Sequence, residues 1–332
     1  MNQTIPFLIS SHSSRGYVSF YRDCFGSLER AEVLSGWPKT AAEKLFEGLT
    51  SAAEARGLTV WRILHSLDGS VEGLVFPEHS AGVYLSRPWD GAVQNGISLS
   101  EIYRPVQESL EEAHRYFSSA LPIHDQWEAV YIAQTDFARL DSLAQETIFQ
   151  LLDGQKGSEE GRNRMRFLGA ATHLGSMDVV PEITQSLARR IFIKGRPGTG
   201  KSTFLKKIRA AANAAGWDTE EYRCAFDPNS ADMVVIRGLG LCLFDSTSPH
   251  EHFPERPSDE ILDLYEAAVT PGTDEANAEA LREIAAAYKA QIRLATGALH
   301  TAWESWSALE AAWPWEEKAL QQEQERILQK LL

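Results

Sequence analysis

The chain has 332 residues, with 46 acidic and 32 basic side chains and a formal net charge of −14. This length accommodates two domains, and a hydrophobic content of 43% supports folded cores rather than disorder. The acidic balance argues against nucleic acid or an anionic membrane surface as the main partner, because both repel a negatively charged protein.

The cysteines and the apolar runs indicate a cytoplasmic protein. Cys24, Cys224 and Cys242 are odd in number and lack CxxC spacing, which favours a reducing compartment over a disulfide framework or a zinc site. The first residues lack the basic region and the apolar length of a signal peptide. No run approaches the ~18 apolar residues of a membrane span, so we expect no membrane partner.

The first half of the chain contains a segment that recurs further along. Residues 36–44 align with residues 195–203 at a shift of 159 residues, and both segments keep glycine, proline and threonine at the same places. His124-Asp-Gln-Trp-Glu128 likewise aligns with His300-Thr-Ala-Trp-Glu304. We therefore predict a duplication in which each copy runs strand, loop, helix, several strands and a long helical tail.

The first copy lacks the residues that bind phosphate. Lys39, Ala41, Ala42 and Glu43 stand where the second copy has two glycines, a lysine and a serine. Without the glycines the backbone cannot wrap closely round a phosphate, and a glutamate would repel it. We predict a degenerate domain over residues 1–153, without a working Walker A loop.

A segment rich in glycine and charge separates the two copies. Residues 154–164 are predicted to be a linker, because such composition favours turns and open chain. The second domain is then predicted over residues 165–332.

Residues 195–203 read Gly-Arg-Pro-Gly-Thr-Gly-Lys-Ser-Thr, a complete Walker A loop. A strand is predicted before it at 190–194, and a helix after it at 202–215. This order directs unpaired backbone N–H groups and the positive end of a helix dipole at an anion. The predicted nucleotide-binding residues are Gly195, Arg196, Pro197, Gly198, Thr199, Gly200, Lys201, Ser202 and Thr203.

Asp245 closes a predicted buried strand at 239–244 and completes a Walker B pattern. Its carboxylate would reach Mg²⁺ through a water, and the Ser202 hydroxyl would be the other protein ligand. The alternative is a turn residue that orders the loop at 246–249.

Asp227, at the end of a mixed strand over 219–226, is a candidate catalytic base for an acceptor hydroxyl. Asp68 has the same register in the degenerate copy, which favours a turn role kept by the fold.

The loop after Asp245 contains His250, Glu251 and His252, a conceivable metal cluster. Exposed polar residues are the alternative that a proline-rich loop favours. Arg256 in the same loop is a candidate arginine finger supplied in cis.

The two His-x-x-Trp-Glu segments place His124 with Glu128, and His300 with Glu304, one helical turn apart. These pairs either brace the helical tails or form a polar site, and their recurrence in both copies favours bracing.

Four segments of the second half carry a family resemblance, namely residues 166–172, 194–203, 224–233 and 244–250. They resemble the tandem P-loop ATPase-like proteins of Bacillus-type bacteria, a functionally uncharacterised family. The resemblance implies an α/β fold with two tandem P-loop NTPase-like domains, each a mainly parallel sheet flanked by helices with a C-terminal helical hairpin. It also implies ATP as the nucleotide, and no substrate.

Three functions follow from these patterns. The first is an ATPase or ATP-dependent switch in which Lys201 neutralises the β- and γ-phosphates while Ser202 and Asp245 hold Mg²⁺. The second is a small-molecule kinase with Asp227 as base, and the third is a non-hydrolysing nucleotide-sensing module that controls an unknown protein partner. A GTPase is disfavoured because the chain has no Asn-Lys-x-Asp motif.

Overall fold

The computed structural model describes residues 4–87, 101–157 and 160–332. The strands are β1 Thr4–Leu8, β2 Ser10–Ser13, β3 Gly16–Ser19, β4 Arg30–Leu34, β5 Val60–Leu64, β6 Val71–Phe76, β7 Ala81–Leu85, β8 Asn163–Phe167, β9 Gly169–Thr172, β10 Gly175–Asp178, β11 Arg189–Lys194, β12 Thr219–Arg223, β13 Ala231–Ile236, β14 Leu241–Asp245 and β15 Asp259–Asp263. The α-helices are α1 Tyr21–Phe25, α2 Lys39–Ala55, α3 Arg104–Ile132, α4 Phe137–Leu152, α5 Val180–Thr184, α6 Lys201–Ala214, α7 Leu264–Ala268, α8 Thr273–Ala276, α9 Ala278–Ala311 and α10 Glu317–Leu331.

The chain forms two compact units, each built from segments of both halves of the sequence. Unit 1 contains the chain up to Arg115, Ala170–Ile183 and Ala295–Leu332, and unit 2 contains Tyr116–Gly169 and Thr184–Leu294. The predicted domains at 1–153 and 165–332 describe the repeat along the sequence, whereas the compact units are interleaved. Helical segments of each half thus belong to the unit that contains the strands of the other half.

Five strands of unit 1 pair in the order β1-β5-β6-β7-β4, while β2 and β3 form a separate antiparallel pair. The pairs β1–β5 and β4–β7 are parallel, whereas β6 runs antiparallel to both of its neighbours. The helix α2 buries an apolar stripe that includes Leu45, Phe46 and Leu49 against these strands, as its helical spacing requires. Leu320, Ile327 and Leu331 of α10 complete this core.

Unit 2 contains the strands β15-β11-β14-β13-β12-β8. Here β11 lies between two parallel neighbours, β14 and β15, while β13 is antiparallel to β12 and β14. The core joins Phe204, Leu205 and Ile208 of α6 to the strand residues Ile193 and Leu243. The predicted α/β class is confirmed, with a mixed sheet flanked by helices in each unit.

The strand order of the first copy recurs in the second, with β15 added at the edge. The antiparallel strand in each copy was not predicted, and the short connection after it explains the direction. Single 3₁₀ turns, Pro77–His79 and Arg237–Leu239, join β6 to β7 and β13 to β14. Such short links connect antiparallel strands, since a parallel pair needs a crossover of a dozen or more residues.

The predicted linker at 154–164 includes residues 158–159, which lie outside the described residues. Of the rest, Gly157 N donates to Ala215 O at 2.9 Å and Gly161 N to Asn213 O at 3.1 Å. The described part of this segment therefore packs on the end of α6. Among the described residues, no helix has the length and apolar character needed to cross a membrane.

Candidate functional site

The loop at 195–200 joins β11 to α6 through two residues in the left-handed region of backbone space. Gly198 has φ +80° and Gly200 has φ +81°, and Gly200 precedes the first helical residue, Lys201. Only glycine adopts these angles without a steric cost. The predicted strand, loop and helix N-terminus are therefore present, and the N-terminus of a 14-residue helix faces the loop.

Two helices of unit 2 pack on this loop. A Cβ atom at Gly198 would lie 2.5 Å from the carbonyl oxygen of Glu128 in α3, and one at Gly200 would lie 3.1 Å from Leu140 Cδ1 in α4. The sequence contains no local signal for this contact, because its partners are some seventy residues apart along the chain. Glycine is therefore required at positions 198 and 200 both by the backbone angles and by the close approach of α3 and α4.

Lys201 lies over its own loop. Its Nζ donates to the carbonyl oxygen of Arg196 at 2.8 Å and lies 3.5 Å from Asp245 Oδ2. Asp245 ends β14, which pairs in parallel with β11 so that Ile193 is opposite Asp245. The structure thus brings together the lysine and the carboxylate that the Walker A and Walker B patterns predicted.

The two predicted metal ligands already make hydrogen bonds within the protein. Ser202 Oγ accepts from the backbone N–H of Ala231 at 2.9 Å, and Asp245 Oδ1 accepts from the Thr247 hydroxyl at 2.6 Å. The second contact also matches the alternative turn role of Asp245. The hydroxyl and the carboxylate are oxygen donors of the kind that Mg²⁺ takes from one or two side chains together with phosphate and water.

The side chain of Arg196 is held away from the loop interior. Its Nη2 and Nε donate to Asp274 Oδ2 at 3.0 and 3.2 Å, and its guanidinium lies 5.1 Å from the ring centre of Tyr265. Tyr131 donates its hydroxyl to the same Asp274 carboxylate at 2.8 Å. The Arg196 side chain therefore links the loop to α8 directly and, through Asp274, to Tyr131 of α3.

Asp227 makes the contacts of a turn residue. Its Oδ1 accepts from Asn229 N at 3.3 Å, and its carbonyl accepts from Ser230 N at 2.8 Å. Asp68 Oδ1 in the first copy accepts from Ser70 N at 3.1 Å, so both copies form the same kind of turn.

The loop after Asp245 matches the expectation of exposed polar residues only in part. His250 is buried and His252 half-buried, whereas Glu251 is exposed. Glu251 forms an ion pair with Lys194 at 3.2 Å. Arg256 donates to the carbonyl oxygens of Leu187 and Gln185 at 3.0 and 3.1 Å, so its guanidinium supports the chain before β11.

The predicted His–Glu pairs lie at ion-pair distance, 3.8 Å for His124 with Glu128 and 3.5 Å for His300 with Glu304. His124, Asp125 and Glu128 form the group of three metal-type ligands found among the described residues, with Asp125 exposed.

In the first copy, a carboxylate of the protein accepts from the first backbone N–H of the helix α2. The helix α2 begins at Lys39, whose backbone N–H donates to the carboxylate of Glu310. Trp306 Nε1 also donates to Glu310, at 2.7 Å, and Lys39 Nζ pairs with Asp68 at 2.6 Å. These contacts engage the first backbone N–H of α2 and the Lys39 ammonium within the protein.

Asp232, near Asp245 and Lys201, was not among the site residues predicted from the sequence. It lies on β13, is 8% exposed and interacts electrostatically with Asp245 and Lys201. The available signal was an aspartate inside the otherwise apolar strand Ala-Asp-Met-Val-Val-Ile.

No protein-family model matches this chain, and searches of curated proteins and of solved structures gave no significant match.

Proposed function

We propose that this protein binds ATP with Mg²⁺ at the loop 195–203 and acts as an ATPase or an ATP-dependent switch. In this proposal it has two tandem P-loop-like domains and one working site. The observation that carries the proposal is the arrangement of Lys201, 3.5 Å from Asp245, at a loop whose Gly198 and Gly200 have positive φ. Phosphate loops of NTPases combine these elements.

The chain's own residues would act mainly by positioning charge. Backbone N–H groups of the loop and of the α6 N-terminus would bind the phosphate oxygens. Lys201 would exchange the Arg196 carbonyl for the β- and γ-phosphates, moving by a side-chain rotation. Ser202 and Asp245 would hold the metal, directly or through water, and bound Mg²⁺ would neutralise charge that develops on the phosphates.

ATP titration by calorimetry tests this proposal. We expect the wild type to bind, and Lys201→Ala to bind ATP roughly 10- to 100-fold more weakly, because a charge-assisted hydrogen bond contributes about 1.5–3 kcal/mol. Lys207→Ala is the matched control, since it removes the same charge from α6 at an exposed ion pair with Asp141. Negligible heat in the wild type, or equal affinity in both variants, would contradict the proposal.

A nucleotide-sensing module is the second candidate, favoured by the contact between Glu128 and Gly198. Because α3 packs on the loop backbone, a nucleotide that moves the loop would also move α3. ATP binding without turnover, together with a partner captured in one nucleotide state only, would select this function over an ATPase.

A further inference from the structure

The strand β13 carries an irregularity at Asp232. Tyr222 pairs with Met233, but the next pair joins Arg223 to Ala231, so Asp232 is skipped in the register with β12. Such β-bulges redirect side chains and are frequent beside active sites. On its other side β13 pairs Met233 with Phe244, and continuing that antiparallel register sets Asp232 opposite Asp245.

The carboxylates of Asp232 and Asp245 therefore lie near each other at the end of β14, and both are near Lys201. Asp232 is 8% exposed, and the Lys201 ammonium already lies 3.5 Å from Asp245. The Cys224 thiol, a weak donor, hydrogen-bonds to Asp232, and His250 also lies within electrostatic range.

The first copy shows how the fold treats the same position without a phosphate loop. Its strand β6 has the same bulge, at Glu72, because Ile63 pairs with Gly73 and Leu64 with Val71. Glu72 is fully buried, and its Oε2 lies 3.7 Å from Nε of Arg87. The carboxylate thus has a guanidinium beside it.

Among the described residues of the second copy, no arginine takes this place, and the Lys201 ammonium is shared between Asp232 and Asp245. Aligning β6 with β13 and β7 with β14, at a shift of 160 residues, matches Glu72 to Asp232 and Arg87 to Thr247. Thr247 is neutral and donates its hydroxyl to Asp245. A buried carboxylate needs a compensating charge, and an arginine meets that need only in the first copy.

We propose that Asp232 is a second carboxylate ligand, direct or through water, of the divalent cation that Asp245 holds. This inference rests on the proposed function and deepens it. The cation would take the place that the Arg87 guanidinium has in the first copy, and Asp232 would be a positioning residue for metal and phosphates.

Binding of Mn²⁺ to the complex with a non-hydrolysable ATP analogue, followed by electron paramagnetic resonance, tests the inference. We expect Asp232→Asn to weaken Mn²⁺ binding roughly 10- to 100-fold, the usual effect of removing a group that supports a metal site. Asp141→Asn, which removes an exposed carboxylate of unit 2, is the control and should leave the affinity unchanged. Wild-type Mn²⁺ affinity in Asp232→Asn would overturn the inference.

Thermal unfolding without nucleotide gives a readout that a purely structural role would not produce. We expect Asp232→Asn to raise the unfolding temperature of the metal-free protein and to reduce its increase by Mn²⁺. A lower metal-free temperature with the Mn²⁺ increase retained would contradict the metal role.

Thr247→Arg serves if Asp232→Asn does not fold, because it supplies the arginine of the first copy while leaving both carboxylates in place. We expect it to weaken Mn²⁺ binding at least tenfold, and unchanged affinity would overturn the inference. Binding of the analogue in the presence of Mg²⁺ separates the two proposals. Its absence in the wild type contradicts ATP binding, whereas its presence with unaltered Mn²⁺ affinity in the variants contradicts the role of Asp232 alone.

Discussion

At the scale of single residues, the loop glycines carry two separable constraints. Gly198 combines a φ of +80° with a Cβ direction that points at the Glu128 carbonyl oxygen 2.5 Å away. Gly272 has a similar φ, +84°, but no atom within 4 Å of the corresponding position. The two sites therefore differ in packing while sharing the same backbone requirement.

This difference predicts unequal costs of substitution by alanine. Gly272→Ala should lower the free energy of unfolding by about 1–2 kcal/mol, the cost of left-handed backbone for an L-residue. Gly198→Ala should cost at least ~1 kcal/mol more, because α3 or the loop must also move. Urea denaturation measures both, and equal losses would mean that α3 does not rest on the loop.

At the scale of elements, the two copies begin the same helix at different points. The helix α6 begins at Lys201 after Gly200, whereas α2 begins at Lys39, which aligns with Gly198. Alanines in place of the second glycine and the lysine favour helix over an open loop. The residues that align with the loop at 198–201 therefore form the first turn of α2. The Glu310 carboxylate accepts a hydrogen bond from the first backbone N–H of this helix.

We therefore expect Glu310→Gln to destabilise the protein by about 0.5–2 kcal/mol. The carboxylate accepts from the first N–H of α2 and complements the helix dipole, and an amide loses the charge of that contact. Glu304→Gln is the control, since Glu304 lies on the same helix, α9, with its side chain 62% exposed. Equal unfolding midpoints for the two variants in urea would contradict the capping role.

At the scale of the whole molecule, buried histidines of unit 1 link stability to pH. Burial is the first cause that lowers the pKa of His65 and of His114 to about 4, and His12 is lowered too. His12 Nδ1 lies 3.0 Å from His114 Nε2, a distance that suits a neutral pair. These histidines therefore stay neutral in the folded state at pH values below about 6.5, where the unfolded chain protonates them.

Stability should accordingly fall as the pH drops from about 6.5 towards 4, by about 1–3 kcal/mol for each such histidine. His114→Gln should reduce the difference between the free energies of unfolding at pH 7 and pH 5, whereas His79→Gln, at a less buried site, should leave it unchanged. Urea denaturation at the two pH values measures this slope, and a slope unaffected by His114→Gln would contradict the prediction.

The sequence by itself determined the features that are local in the chain. The loop at 195–203, the strand before it, the helix after it and the loss of the cradle at Lys39, Ala41 and Ala42 all follow from backbone preference and hydrophobic spacing. These signals act over a few residues, so they can be read without knowing the fold.

Only the tertiary structure decided which distant residues meet the loops. Glu128 packs against Gly198, Glu310 caps α2, and continuing the register of β13 with β14 places Asp232 opposite Asp245. Each contact joins positions far apart in sequence or depends on strand register. Contacts of these two kinds produce no periodic pattern of apolar residues that could be recognised in the sequence. Each compact unit also combines segments from both halves of the sequence. An amphipathic pattern shows which face of a helix is buried, but it does not show which apolar surface covers that face.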